Sequence, residues 1–207
     1  MKHAMNQTAR HIRRLKRAEL PADTVELARY LIGKTLVHDS PAGRTSGRIT
    51  ETEAYPVADS AGHAFRGQTP GNRSLFLVRG TAYVYFTYGS SFMMNVASEK
   101  PGTGAGVLIR ALEPLGGVEL MQRRRGKEKT IDLTRGPGRL AVAMAIDKRL
   151  DGVDLCAKGP LWLGAAVRST GAIGQSVRIG LTREVERVLR FYERGNNFVS
   201  GPRNLSP

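Results

Sequence analysis

The stretch Thr81-Ala82-Tyr83-Val84-Tyr85-Phe86-Thr87-Tyr88 is a run of β-branched and aromatic residues, and a second apolar run at 92–97 follows it across Gly89-Ser90-Ser91. Such residues favour a pleated, half-buried strand, and two strands joined by a short glycine-containing connection are typical of an antiparallel hairpin. The sequence therefore predicts a hairpin over residues 81–97. Tyr83 and Tyr85 share one of its faces, because side chains alternate along a strand.

Segments on both sides extend this hairpin into a sheet. Strand signals occur at residues 34–38, 44–55, 106–113, 161–163, 177–179 and 188–192. Helix signals occur at residues 23–33, where Asp23 can cap the first turn, and at 115–125 and 136–145. Several hairpins with few crossover helices predict an α+β fold: a single domain with a curved, mainly antiparallel β-sheet core and peripheral helices.

The charge of the chain indicates the kind of partner. Its 207 residues include 32 Lys and Arg against 18 Asp and Glu, a formal charge of +14. A surplus of this size favours a polyanionic partner such as nucleic acid, although a solubility surplus or a ribosome-adjacent protein is an alternative. Residues 1–17 are interpreted as a flexible basic arm, which either touches phosphate or is only solvated. A single domain is predicted over residues 18–207.

Other features narrow the class of protein. Cys156 is the only cysteine, so no intrachain disulfide can form, which fits an intracellular location in the cytoplasm or at the nucleoid. The four histidines lack the spacing of a zinc site, and neither a metal nor a cofactor is expected. No apolar run approaches the roughly 20 residues of a membrane span, so no membrane partner is expected.

The predicted strand around Glu51 and Glu53 carries the first candidate chemistry. Alternation places both carboxylates on one face with Ile49 and Tyr55. A carboxylate on such a face loses hydration unless it has a partner or a chemical role. The alternative is an edge strand whose acidic face is simply solvated.

Arg110 is the second candidate, because every neighbour in the run 107–112 is apolar. A guanidinium cannot neutralise itself, so it needs a carboxylate or a phosphate within reach. Arg110 therefore either forms a structural salt bridge or, together with a strand carboxylate, positions a water molecule.

Tyr88 is the third candidate, because it falls beside the turn of the predicted hairpin, where little core is available. In a basic protein, a bulky aromatic residue there suits a wedge pushed between stacked bases. The alternative is ordinary packing of aromatic residues on a strand.

Taken together, these segments closely resemble the alkyladenine (3-methyladenine) DNA glycosylase family of the non-helix-hairpin-helix type. The resemblance runs from about residue 20 to 200, and its motifs occur in the family's order. They are Glu51-Thr52-Glu53-Ala54-Tyr55, Gln68-Thr69-Pro70-Gly71-Asn72-Arg73, Tyr83-Val84-Tyr85-Phe86-Thr87-Tyr88-Gly89, Met94-Asn95, Val107-Leu108-Ile109-Arg110-Ala111-Leu112-Glu113-Pro114, Gly136-Pro137 and Leu189-Arg190-Phe191-Tyr192. Each motif alone is a weak match, but seven in order are a strong one.

This resemblance implies a monofunctional enzyme that flips alkylated or deaminated purines out of double-stranded DNA and hydrolyses their N-glycosidic bond. Glu53 matches the general base that activates water, and Arg110 matches the arginine that positions this water. No lysine in the motifs matches a Schiff-base nucleophile, so cleavage of the DNA strand is not expected.

The resemblance also implies how the base is held. Tyr55, His63 and Tyr85 match the walls between which the flipped base stacks. Asn95 matches the residue that disfavours the 2-amino group of guanine, and Tyr88 matches the side chain that fills the vacated space in the duplex.

Contacts to DNA phosphates are expected from clustered basic residues: Arg73, Arg135, Arg139 and the run 123–125. Each of these is equally compatible with a solvated surface charge. A monomer is the simplest expectation.

Of three alternative functions, one stays open. This main alternative is a non-catalytic DNA-binding protein of the same fold, with Glu53 buried but idle. An acyl- or formyl-transfer enzyme would need a nucleophile or an Asn-His-Asp centre, which these histidines do not supply. A metal nuclease would need more clustered carboxylates than Glu51 and Glu53.

Overall fold

The computed structural model describes residues 12–87, 89–126 and 128–205. Its strands are β1 (Thr35–Ser40), β2 (Gly43–Tyr55), β3 (Ala82–Thr87), β4 (Ser91–Ala97), β5 (Gly106–Gly116), β6 (Leu161–Gly164), β7 (Ile173–Ser176) and β8 (Arg190–Glu193). Its helices are α1 (Thr24–Leu31), α2 (Val118–Arg124) and α3 (Pro137–Met144). Within these ranges, none of the helices has the length and apolar character needed to cross a membrane.

The strands form one antiparallel sheet, in the order β3-β4-β5-β2-β1-β6. Strand β2 organises it, because β5 pairs along one edge of β2 while β1 and then β8 share the other edge. Strand β7 pairs with the far side of β8. The predicted α+β fold, a single domain with a curved, mainly antiparallel sheet and peripheral helices, is confirmed.

One face of the sheet belongs to the hydrophobic core. Four directly paired residues cross it as a row from β3 to β2: Ala82, Val96, Val107 and Ala54, all fully buried. Helix α1 packs against β2, and the Thr52 hydroxyl donates to the Ala28 carbonyl at 2.9 Å. Asp23 caps this helix as predicted, because its carboxylate accepts from the first free N–H groups of the helix.

The row next to it faces the other way and is largely polar. Its directly paired members, from β3 to β8, are Tyr83, Asn95, Leu108, Glu53 and Arg190. Paired residues on neighbouring strands lie about 5 Å apart on the same face, so these groups follow a line of roughly 20 Å. All five are buried, with at most 6% of the residue surface exposed. This face is therefore not a solvated surface.

The prediction that Ile49 shares a face of β2 with Glu51 and Glu53 is wrong. The pairing of β2 with β5 shifts register on both sides of Glu51, between Ile49 and Thr52. Such a bulge interrupts the alternation of side chains. Ile49 therefore joins the hydrophobic core, while the carboxylates face a polar network.

Two sequence predictions of secondary structure also need correction. The strand predicted at 177–179 lies earlier in the chain, at β7. Residues 178 and 179 are not part of it, because the Arg178 side chain and the Ile179 N–H bind Ala54 and Glu53 of β2 instead. The helix predicted from 115 begins at Val118, because β5 continues to Gly116. Gly117 then makes the turn between strand and helix in the left-handed conformation, with φ of 70°.

Residues 12–17 lie against the sheet. Leu15 is buried, and its N–H donates to the Leu163 carbonyl at 2.9 Å. The Arg14 guanidinium stacks on Trp162, 4.4 Å from the ring centroid. Residues 1–11 of the predicted arm lie outside the described residues, and the boundary between arm and domain stays a prediction.

Candidate active site

Glu53 lies in the middle of the polar row and has no exposed surface. Its Oε1 accepts a hydrogen bond from the Ile179 N–H at 2.8 Å and lies 3.1 Å from a terminal nitrogen, Nη1, of Arg110. Its Oε2 accepts from the Tyr55 hydroxyl at 2.9 Å. A carboxylate offers about four acceptor positions, so within the described part of the chain one position of Oε2 stays open.

Arg110 is held by two carboxylates. Its Nε donates to Glu51 Oε1 at 2.8 Å, while Nη1 faces Glu53. Burial opposes the charge of the guanidinium, but Glu53 and Glu51 together outweigh it and raise the pKa of Arg110 above its ordinary value. Arg110 is therefore a fixed cation between two strand carboxylates.

Glu51 has a second arginine on its other side. Arg190 Nε donates to Glu51 Oε1 at 2.6 Å, and the Ser200 N–H donates to Oε2 at 2.6 Å. Arg190 also donates to Ser176 Oγ and to the carbonyls of Ser200 and Leu205. The two carboxylates and two guanidiniums form a buried cluster without net charge.

Tyr55 joins this cluster to an aromatic group. Burial, followed by the negative charge of Glu53, raises the pKa of Tyr55 well above its ordinary value, so the phenol stays protonated and donates to Glu53. The Arg178 guanidinium lies 4.6 Å from the Tyr55 ring centroid and donates to the Ala54 carbonyl. It also pairs with Asp59 at 2.7 Å, which fixes the start of the loop after β2.

His63 lies further along this loop and contacts both tyrosines of β3. Its ring centroid is 4.3 Å from that of Tyr85, and its Nδ1 is 2.9 Å from the Tyr83 hydroxyl. Burial lowers the pKa of His63, so the ring is neutral at physiological pH. Asn72 holds the loop in place by donating from Nδ2 to the His63 carbonyl at 2.8 Å and the Gly67 carbonyl at 3.0 Å.

Asn95 lies in the row between Tyr83 and Glu53, and Leu108 separates it from Glu53. It is 94% buried. No hydrogen-bond partner lies within reach of its Nδ2 among the residues that the structure describes. A buried amide without a partner costs about 1–3 kcal/mol, so this position has a physical reason to meet a ligand.

The arginines predicted to contact phosphates differ in exposure and in partners. Arg73 is exposed and begins a 3₁₀ turn directly after Asn72. Arg135 donates from Nε to the Val199 carbonyl at 3.2 Å, next to the residue that binds Glu51. Arg139 is half exposed and, like Arg135, lies 3.8 Å from Asp132. Tyr88 lies outside the described residues.

A cavity of about 280 Å³ lies elsewhere, between the β3–β4 hairpin and α3. Its lining is mostly apolar and includes Phe86, Phe92 and Val142. Its charged lining residue, Asp147, is paired with Arg149. This cavity therefore brings no reactive group to a bound molecule.

Sequence reasoning missed several residues that build the site: Tyr83, Asp59, Asn72, Arg178 and Arg190. Two signals were available. Tyr83 shares the parity of Tyr85 on β3, and Arg190 lies in an apolar run as Arg110 does. Asn72 lies in one of the quoted motifs, but its role in holding the loop was not predicted. Nothing in the local sequence distinguished Arg178 or Asp59, because each finds its partner far away in the chain.

The protein combines a curved antiparallel sheet, a strong positive charge and a buried carboxylate–guanidinium cluster beside aromatic rings. This combination points to the class of hydrolases that act on nucleic acid bases. The sequence profile described as methylpurine-DNA glycosylase matches residues 18–197. The chain belongs to the methylpurine-DNA glycosylase family and is thus a DNA glycosylase of methylpurines.

Individual relatives agree with this assignment. A protein of Mesorhizobium japonicum, named "Putative 3-methyladenine DNA glycosylase", is 65% identical over 191 residues, which is 92% of each chain. Proteins of the same name from Paraburkholderia phytofirmans and Rubrobacter xylanophilus are 54% and 43% identical. They cover 92% and 85% of this chain, and 90% and 92% of their own lengths.

Proposed function

We propose that this protein is a monofunctional DNA glycosylase that turns an alkylated or deaminated purine nucleotide out of the duplex and hydrolyses its N-glycosidic bond. The observation that carries the proposal is the position of Glu53. This buried carboxylate is fixed by Arg110, Tyr55 and a backbone N–H, yet keeps one acceptor position. It lies in one row with the unpaired amide of Asn95.

In the proposed reaction, Glu53 accepts a proton from a water molecule while the water oxygen attacks C1′ of the sugar. The bond between C1′ and the base nitrogen breaks, and its electron pair leaves with the base. A base alkylated at N3 or N7 is cationic, so it leaves as a neutral molecule without needing an acid. A deaminated base such as hypoxanthine leaves as an anion and takes up a proton from water. A positioned base of this kind contributes roughly 10²–10⁴-fold to the rate.

The proposed recognition of the base combines stacking and hydrogen bonding. We assign the stacking to the rings of Tyr55, His63 and Tyr85, because electron-rich tyrosine faces bind a cationic base with about 0.5–2 kcal/mol. The free Nδ2 of Asn95 is a donor, as is the 2-amino group of guanine. Two donors facing each other leave both unsatisfied, so normal guanine is disfavoured.

We assign binding of the duplex to Tyr88 and to three arginines. Tyr88 fills the space that the extruded nucleotide leaves, and Arg73, Arg135 and Arg139 contact phosphates. Affinity then falls steeply as salt rises. No lysine contacts Glu53, Tyr55 or His63 in the described part of the chain, which supports hydrolysis without cleavage of the DNA strand. We expect a monomer that acts inside the cell, on chromosomal DNA.

The test uses duplex DNA with one hypoxanthine or one ethenoadenine, together with methylated DNA. Wild-type protein should release the damaged base and leave an intact abasic strand, while Glu53→Gln should bind the duplex but excise about 10²–10⁴-fold more slowly. Unchanged turnover in Glu53→Gln would remove the mechanism. Binding without excision by the wild-type protein would favour the alternative, a non-catalytic DNA-binding protein of the same fold.

A further inference from the structure

The cluster around Arg110 contains a carboxylate that the reaction does not use. Glu51 has no exposed surface and binds Arg110 through Nε, the edge of the guanidinium next to the one that faces Glu53. Each strand carboxylate therefore holds its own edge of the same guanidinium. A guanidinium can bind one carboxylate with two parallel hydrogen bonds, and Glu51, by occupying Nε, excludes Glu53 from the pairing that uses Nε together with a terminal nitrogen.

We propose that Glu51 is a positioning residue of the excision reaction: it holds Arg110 so that a single nitrogen reaches Glu53 and the carboxylate keeps room to accept a proton. This inference rests on the proposed role of Glu53 as the general base. Two-point pairing of Arg110 with Glu53 would occupy its acceptor positions and stabilise its ionised form. Glu51 therefore keeps an acceptor position of Glu53 free for a proton.

Glu51 can play this part because it is itself fixed from behind. Arg190 Nε and the Ser200 N–H each donate to it at 2.6 Å, so the carboxylate cannot turn towards solvent. Arg190 is anchored to the Ser176 hydroxyl at the end of β7 and to the Ser200 and Leu205 carbonyls in the segment after β8. Residues of three strands, β2, β5 and β8, thus fix the position of Arg110.

The charges around Glu53 are balanced. On β2, Glu51 is negative and Tyr55 is a neutral donor; Arg110 of β5 and Arg190 of β8 are positive. Behind the Tyr55 ring, the positive Arg178 is paired with Asp59. His63, the other titratable group of the site, contacts the tyrosines of β3. Removing Glu51 alone therefore leaves an excess positive charge beside Glu53.

The decisive variant is Glu51→Gln, measured by the pH dependence of single-turnover excision. Its rate should fall about tenfold, and the acid limb of the profile should move to lower pH by about one unit, because the ionised form of Glu53 is favoured. A merely destabilised protein would lose activity at higher pH as acid unfolds it. The two explanations thus predict shifts of opposite sign.

A second variant separates position from charge and applies even if Glu51→Gln does not fold. Glu51→Asp keeps the charge but shortens the side chain, so its rate should fall about fivefold to tenfold while the acid limb stays in place. The matched control is Glu193→Gln, which neutralises another buried carboxylate that is paired with Arg48. Its excision rate and its acid limb, both measured per folded molecule, should match those of the wild type.

The inference is overturned if Glu51→Gln folds and keeps both the wild-type rate and the wild-type acid limb, or if its limb moves to higher pH. It is also overturned if Glu51→Asp excises at the wild-type rate. These outcomes differ from failure of the proposed function, in which the wild-type protein excises no base or Glu53→Gln excises normally.

Discussion

Two buried carboxylate–guanidinium pairs lie on β2 and its neighbouring strands, and they differ in how completely the carboxylate is occupied. Glu193 accepts from two nitrogens of Arg48, from the Gly171 N–H at 2.8 Å and from Asn196 Nδ2 at 2.7 Å, so all four acceptor positions are filled. Within the described residues, Glu53 accepts two hydrogen bonds, from the Tyr55 hydroxyl and the Ile179 N–H, and has an ion-pair contact with Arg110 at 3.1 Å. The Glu193 carboxylate has a donor at every acceptor position, and the Glu53 carboxylate does not.

This difference separates a structural ion pair from the pair to which we assign the reaction. Burial raises the pKa of Glu193, but hydrogen bonds from Arg48, Gly171 and Asn196 outweigh it and lower this pKa to about 2. A carboxylate in that state is a poor proton acceptor. Glu53 is fixed as firmly but keeps an acceptor position, as a general base requires. The comparison teaches that an incomplete hydrogen-bond shell, more than burial or pairing, identifies the candidate base.

The largest expected effect comes from breaking the saturated pair. Glu193→Gln leaves the buried Arg48 without its main partner, and loss of one member of a buried pair costs about 3–5 kcal/mol. Urea unfolding should show this loss at an unchanged m-value, while excision per folded molecule stays within about twofold of wild type. An equally large loss of excision rate per folded molecule would contradict the division into structural and reactive pairs.

The next effect is the pH dependence of stability. The pKa of Glu193 is lower in the folded protein than its ordinary value of 4.5. Its contribution is therefore fully present above pH 4.5 and is lost as the pH falls towards 2. This contribution is about 3 kcal/mol. The difference in unfolding free energy between wild type and Glu193→Gln should shrink over this range, and a constant difference would show that Glu193 does not titrate there.

The smallest effect tests the open side of Glu53. Tyr55→Phe removes the donor to Oε2 but keeps the ring that stacks on Arg178. Excision should slow about tenfold, matching the roughly 1.5 kcal/mol of a hydrogen bond to a charged group. The acid limb should move to higher pH, because the ionised carboxylate loses a donor.

Asn196→Ala is the matched control for Tyr55→Phe, since it removes one donor from Glu193. It should lower the unfolding free energy by about 1 kcal/mol and leave the pH–rate profile unchanged. If both variants changed the profile alike, the distinction between the two carboxylates would fail.

Local patterns in the sequence predicted much of the fold and part of the site. Apolar and aromatic alternation gave the β3–β4 hairpin, and Asp23 marked the start of α1, because both signals act between residues close in the chain. The need of Arg110 for a carboxylate also followed from its apolar neighbours, and two carboxylates do bind it. The resemblance to a glycosylase family pointed to Glu53 in particular, and its catalytic role stays a prediction.

Tertiary structure alone decided how these groups meet. A register shift separates Ile49 from the carboxylates, which alternation cannot predict. Four strands place Tyr83, Asn95 and Glu53 in one row. Arg190 reaches Glu51 across 139 positions of sequence. The physical reason is that a side chain's type sets what partner it needs, whereas strand register and loop closure, which depend on the whole chain, set which partner it finds.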